Sequence, residues 1–169
     1  MLRKKLIKYS LIVTVFSFVF FGLVNLPSFL PYGNAINSFY AQVSGSILNL
    51  FGANVLVSQT EIGGSAFHIS VKIGCDAIAP MILFAMSIIA FPVSFRLKFL
   101  PVIIGIFILG VLNIIRIITL YYSGLHGSQE FFEIMHADVW QILFVAFTVF
   151  LWLVWIRYVF SNKMKHDIA

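Results

Sequence analysis

The stretch 99–122, FLPVIIGIFILGVLNIIRIITLYY, is an apolar run broken by a single charge. It exceeds the roughly 20 apolar residues that a helix needs to cross a hydrocarbon core. Arg116 sits inside it, about one turn before Tyr121 and Tyr122, which mark an aromatic belt at a membrane boundary. A guanidinium in a span costs about 2.5–3.5 kcal/mol at the bilayer centre and less near the surface. It therefore either snorkels to the headgroups or faces a bundle interior and does work there. Asn113, three residues earlier, shares its helix face and offers a partner to orient it.

Three further apolar runs flank this one, over about 11–30, 77–91 and 139–160, and Pro31 and Pro92 close the first two. The chain has 169 residues, of which 61% are hydrophobic and 10% charged. A soluble domain carries about 25% charged residues. The expected fold is an all-α integral membrane protein with about four transmembrane helices. The run 77–91 is short and either borrows the residues before Cys75 or thins the bilayer locally. The first run has a long apolar core and no small-residue cleavage pattern after it, so it reads as a retained signal anchor.

Basic residues in short loops orient such a chain. Arg3, Lys4, Lys5 and Lys8 precede the first run, Arg96 and Lys98 follow the second, and Arg157, Lys163 and Lys165 end the fourth. The segments 31–74 and 123–138 hold Glu61, Glu130, Glu133 and Asp138, with Lys72 as their only Lys or Arg. Both termini are thus expected in the cytoplasm. Four parts follow: a basic N-terminus and anchor (1–30), an external segment (31–74), a transmembrane core (75–160) and a basic tail (161–169). Within the external segment, 34–51 has near-helical apolar spacing at Ile36, Phe39, Tyr40, Val43, Ile47, Leu48 and Phe51, which predicts an amphipathic helix along the outer leaflet. The strand formers of 54–58 and the alternation of 66–73, with Gly63-Gly64 between, predict a small β-hairpin.

This topology puts Cys75, Arg116 and His136 on one side of the membrane. Cys75, the only cysteine, follows Gly74 and is expected to open the second span, where a helix N-terminus favours thiolate. Its alternative reading is a buried small hydrophobe. Asp76 opposes a thiolate unless it is turned away, for instance as a cap. His136 precedes the fourth span, four residues before Trp140, and an imidazole there is able to take a thiol proton. Its alternative reading is a solvated loop histidine. Asp138 either orients that ring or caps the helix. His126 competes from a glycine-flanked stretch, 123–128.

The pattern also excludes classes. One cysteine forms no internal disulfide, so a dithiol relay is out. No His, Cys and carboxylate set has zinc-site spacing, and no cofactor is implied. Basic residues cluster at the ends rather than along a repeated face, which argues against nucleic acid.

The runs Gly74-Cys75-Asp76-Ala77, Asn113-Ile114-Ile115-Arg116 and His136-Ala137-Asp138-Val139-Trp140, in that order over about 74–155, resemble the exosortase/archaeosortase family. These are membrane-embedded cysteine transpeptidases. With a single span before the Cys, the chain looks like the short, exosortase F form. Many members follow the Cys with a small residue and then Gly, where this chain has Asp76 and Ala77. The resemblance implies Cys75 as nucleophile, Arg116 as oxyanion or thiolate stabiliser and His136 as general acid/base, with Asn113 and Asp138 in support. It implies a bacterial inner-membrane location with an outward site. Its substrates would be exported proteins with a C-terminal signal of short motif, transmembrane helix and basic tail. Membrane lipid is the other expected partner. A different class stays open: a non-catalytic assembly factor that binds partner transmembrane helices. A carrier fits less well, since four spans show no internal repeat.

Topology is directly testable. A reporter fused after Lys165 should read as cytoplasmic and one within 123–128 as external. An external signal from the C-terminal fusion would remove the basis for placing the three residues on one face.

Overall fold

The computed structural model describes the backbone of residues 2–24, 26–72 and 74–168, and the side chains of 7–24, 26–72 and 74–161. The side chains of Arg3, Lys4, Lys5, Lys163 and Lys165, and Ile73 at the end of the expected second strand, lie outside the described residues. The elements in order are helix α1 (Leu2–Val24), a 3-10 turn (Pro27–Phe29), α2 (Leu30–Leu50), strands β1 (Leu56–Ser58), β2 (Glu61–Gly63) and β3 (His68–Ser70), then α3 (Ile78–Ile89), α4 (Arg96–His126), α5 (Gln129–Glu133), a π-helical segment (Ile134–Val139) and α6 (Trp140–Ile168).

Among the described residues, three helical stretches are long and apolar enough to cross a membrane: Ile7–Val24, Arg96–His126, and Gln129–Ser161, which runs α5, the π-helical segment and α6 together. The fourth expected span is shorter than a crossing. α3 has 12 residues, about 18 Å of helix, against a core of roughly 30 Å. It is nonetheless central, because it packs against α1, α4 and α6. The architecture is that of an all-α multi-pass membrane protein carrying a small sheet.

Between α1 and α3 the structure departs from the expected hairpin. The sheet has three antiparallel strands in the order β1-β2-β3. Gln59, with φ +53°, turns the chain so that Glu61–Gly63 pairs with both neighbours. A three-residue strand carries too little alternation to be read, yet its Ile62 is fully buried. The amphipathic helix is present as α2, but its buried face is Asn37, Tyr40, Ala41, Ser44, Gly45 and Leu48. Ile36, Phe39 and Phe51 of the expected apolar stripe are exposed. Tyr40 and Leu48 of that stripe are buried, and Gly45 lies where a Cβ would collide with Val57 of β1, so the face is chosen by close packing against the sheet and α4 rather than by hydropathy alone.

Two apolar cores share α4. One joins Phe84 and Ile88 of α3 to Leu109 and Leu120 of α4 and Trp140, Phe144 and Trp155 of α6. The other joins Tyr40, Ala41 and Leu48 of α2 to Val55, Ile62 and Val71 of the sheet and Ile117 and Tyr121 of α4. Ala77 belongs to the first and Cys75 packs against the second, so the turn between them sits on the seam.

α4 contains Pro101 in its second turn. Proline has no N–H, so the Leu97 carbonyl loses its helical donor. The Trp155 indole Nε1 donates to that carbonyl at 2.9 Å, which ties α6 to α4 at this end. Trp155→Phe should destabilise the protein by about 1–3 kcal/mol through the orphaned carbonyl. Pro101→Ala in that background should recover part of the loss by restoring a helical N–H. Thermal unfolding in detergent measures both, and no recovery would show that the indole does not act through Leu97.

Candidate active site

Cys75 lies in a tight turn in which its N–H donates to the Lys72 carbonyl at 2.9 Å. Gly74 has φ +93°, a conformation open to glycine, and Ala77 has φ +56°. A non-glycine residue held there costs about 1–3 kcal/mol and marks a position the surroundings impose. The consequence corrects one expectation. α3 starts at Ile78, so Cys75 precedes the helix rather than opening it, and the helix-dipole argument does not apply in that form.

Asp76 is buried at 4% exposure. Its Oδ1 accepts from the Ile78 N–H at 3.1 Å and its Oδ2 from the Gly74 N–H at 3.4 Å. The carboxylate therefore serves the backbone of the turn and the first N–H of α3.

His136 approaches from the other side. The π-helical segment widens the helix just before α6 and carries this residue; such turns recur at functional sites. His136 Nε2 lies 3.3 Å from Cys75 Sγ. Its ring stacks on Phe132, with centroids 5.9 Å apart and planes at 17°. Phe132 is one turn earlier, at the i−4 spacing that places both rings on one face.

Arg116 completes the group from α4. It is 8% exposed, so it faces the bundle. Its Nη2 donates to the His136 carbonyl across a long 3.4 Å. Its guanidinium carbon stands 5.6 Å from the centroid of the Phe144 ring, a cation–π distance. Its Nε is buried and has no hydrogen-bond partner among the described residues. One turn on, Thr119 Oγ1 donates to the Arg116 carbonyl at 2.9 Å and accepts from Trp140 Nε1 at 3.0 Å. That relay locks the start of α6 to α4 beside His136.

A cleft of about 400 Å³ holds Cys75, Arg116 and His136 in its wall, together with residues 67–72, Gln129 and Phe132. A thiol, an imidazole and a cation thus share one hollow. The family model for transmembrane exosortase (Exosortase_EpsH) matches residues 7–157. The chain belongs to the exosortase family. No curated protein and no solved structure matches it.

The other residues singled out in this exosortase are placed less directly. Asn113 is fully buried, but neither its Nδ2 nor its Oδ1 has a hydrogen-bond partner among the described residues, so it does not orient Arg116 by a bond. Asp138 is exposed, and the described hydrogen bonds include none from it to the His136 ring. His126 is in the last turn of α4 rather than a loose loop, stacked on Tyr122 with centroids 6.2 Å apart, and it does not line the cleft. Sequence reasoning missed Phe132, Phe144 and Thr119, and left His68 outside the site, although His68 lines the cleft.

Asp76 provides a test of its assigned role. Asp76→Ala removes both acceptors and should cost about 1–3 kcal/mol in thermal unfolding. Asp76→Asn keeps Oδ1 and should cost distinctly less. Equal losses would mean that the charge, not the acceptor, is what the turn requires.

Proposed function

We propose that this exosortase is a membrane-embedded cysteine transpeptidase that cleaves the C-terminal sorting signal of exported proteins at the outer face of the membrane. The observation that carries the reading is the 3.3 Å approach of Cys75 Sγ to His136 Nε2 across 61 positions of sequence, with Arg116 in the same cleft. A lone buried cysteine needs no imidazole, and a snorkelling arginine would not turn into the bundle.

The chemistry follows from these positions. The Cys75 proton passes to His136, and the sulfur attacks the scissile carbonyl. Arg116 stabilises the oxyanion in surroundings of low polarity, a contribution of several kcal/mol in comparable sites, about 2.7–4. The C–N bond breaks, and His136 returns its proton to the leaving amine, which departs with the anchor helix. The carboxyl side remains on Cys75 as a thioester. An incoming amine or water, deprotonated by His136, attacks it and frees the thiol. A second hollow of about 310 Å³ between α3 and α6 shares Arg116 with the cleft and has Ala79, Pro80, Val145 and Val149 in its walls. Those small and branched surfaces suit the substrate's own helix lying beside α3 and α6, with its scissile peptide at Cys75.

Processing of an exported protein that ends in such an anchor tests this. Cys75→Ser should abolish cleavage with expression intact. His136→Ala should lower it by about 10²–10⁴-fold, while His126→Ala stays near wild type. Arg116→Lys should also fail, because it keeps charge but loses the planar fork. Wild-type cleavage by Cys75→Ser would remove the cysteine mechanism.

A further inference from the structure

The sheet ends in an unpaired edge at the cleft. In the β2–β3 pair, the Gly64 N–H donates to the Phe67 carbonyl at 2.9 Å and the Val71 N–H to the Thr60 carbonyl at 2.8 Å. The register pairs Ile62 with Ile69 and Gly63 with His68. Hydrogen-bonded pairs alternate along an antiparallel ladder, so Phe67, Ile69 and Val71 direct their main-chain groups at β2. His68 and Ser70 therefore direct theirs away from it. Among the described residues, β3 has no strand on that side. The six consecutive residues 67–72 all line the cleft that holds Cys75 and His136. A strand that offers both faces to one hollow offers its edge to it.

The strand also has a direction. Its Phe67 end rests on Gly124, where a Cβ would collide with the ring, and on Tyr121. The chain that leaves it reaches Cys75 beside His136, whose carbonyl Arg116 bonds. β3 thus descends past α4 from the level of residue 124 to that of residue 116, toward the thiol.

We infer that the substrate residues on the N-terminal side of the scissile bond bind in extended form as a fourth strand on β3, parallel to it, with their main chain bonded to the N–H and C=O groups of His68 and Ser70. This rests on the proposed function, which supplies an extended chain whose anchor lies C-terminal to the cut. Strand addition to an exposed edge takes its affinity from main-chain hydrogen bonds, so this part of recognition is nearly independent of side chains. The parallel direction follows from the substrate's path: its exported part is outside and its anchor runs into the membrane, the same way that β3 descends.

Alkylation of Cys75 in the full-length protein, read by intact mass, tests the inference. The probes are acetyl-tetraalanyl chloromethyl ketone, acetyl-alanyl chloromethyl ketone and iodoacetamide. The thiolate displaces chloride from either ketone, forming an S–CH₂ bond. The tetrapeptide should label about tenfold faster than the single alanine, because two or more ladder bonds add to its binding. N-methylation of its amides should erase the advantage at alternate positions only. Ser70→Pro, which removes one edge N–H, should also erase it and leave iodoacetamide labelling unchanged. Equal rates for the two ketones, or N-methyl effects without alternation, would overturn the strand proposal while leaving the cysteine chemistry intact. Cys75 inert to iodoacetamide and to both ketones would overturn the proposed function and this inference together.

Discussion

Everything at the site depends on burying the Arg116 guanidinium within an apolar bundle. No carboxylate stands within ion-pair distance of it among the described residues; it is held by the His136 carbonyl and the face of Phe144, with the buried Asp76 carboxylate acting on it at longer range across a shared hollow. A buried cation without compensation is expensive, so the surrounding elements are arranged to meet it. The π-helical segment sets the His136 carbonyl toward α4. The Trp140–Thr119–Arg116 relay fixes that arrangement. The same placement carries the imidazole of His136 to Cys75. The guanidinium, through the His136 carbonyl, and the Arg116 main-chain carbonyl, through Thr119 and Trp140, thus both tie α4 to the segment that carries the base.

A second constraint comes from the chain entering α3. Gly74 and Ala77 both have positive φ, and Asp76 bonds the N–H groups on either side of the turn. The turn lies on the seam of two apolar cores, one built on α3, α4 and α6 and the other on α2, the sheet and α4. A thiol on such a seam is supported from both sides yet remains open to the cleft. The sheet gains a reason as well. It is too small to stabilise itself, but it sets a strand edge beside the thiol and closes one wall of the hollow.

Much of this was legible in the sequence for a simple reason. In a chain this apolar, a thiol, a guanidinium and an imidazole near the ends of apolar runs are out of place, and the apolar runs read with the placement of Lys and Arg put Cys75, Arg116 and His136 on one expected side. What failed to show depends on packing. β2 is too short for an alternation signal. The buried face of α2 keeps only Tyr40 and Leu48 of the apolar stripe and adds Asn37, Ala41, Ser44 and Gly45, which the apolar spacing passes over, while Ile36, Phe39 and Phe51 face outward. Asn113 and Asp138 have the right spacing to support Arg116 and His136, but spacing does not say which way a side chain turns, and neither makes the expected bond. Phe132 was legible in principle from its i−4 position, yet one more phenylalanine in a chain with 19 of them draws no notice.

The central claim is that Cys75 forms a covalent acyl intermediate with the help of His136. Rapid quenching of the protein during turnover of an anchored exported substrate, followed by intact mass and peptide mapping, tests it most directly. An acyl adduct is expected on Cys75, equal in mass to the substrate's N-terminal portion and released by hydroxylamine as a thioester would be. Cleaved product accumulating at every quench time with Cys75 unmodified, or with the acyl group on another residue, would contradict it.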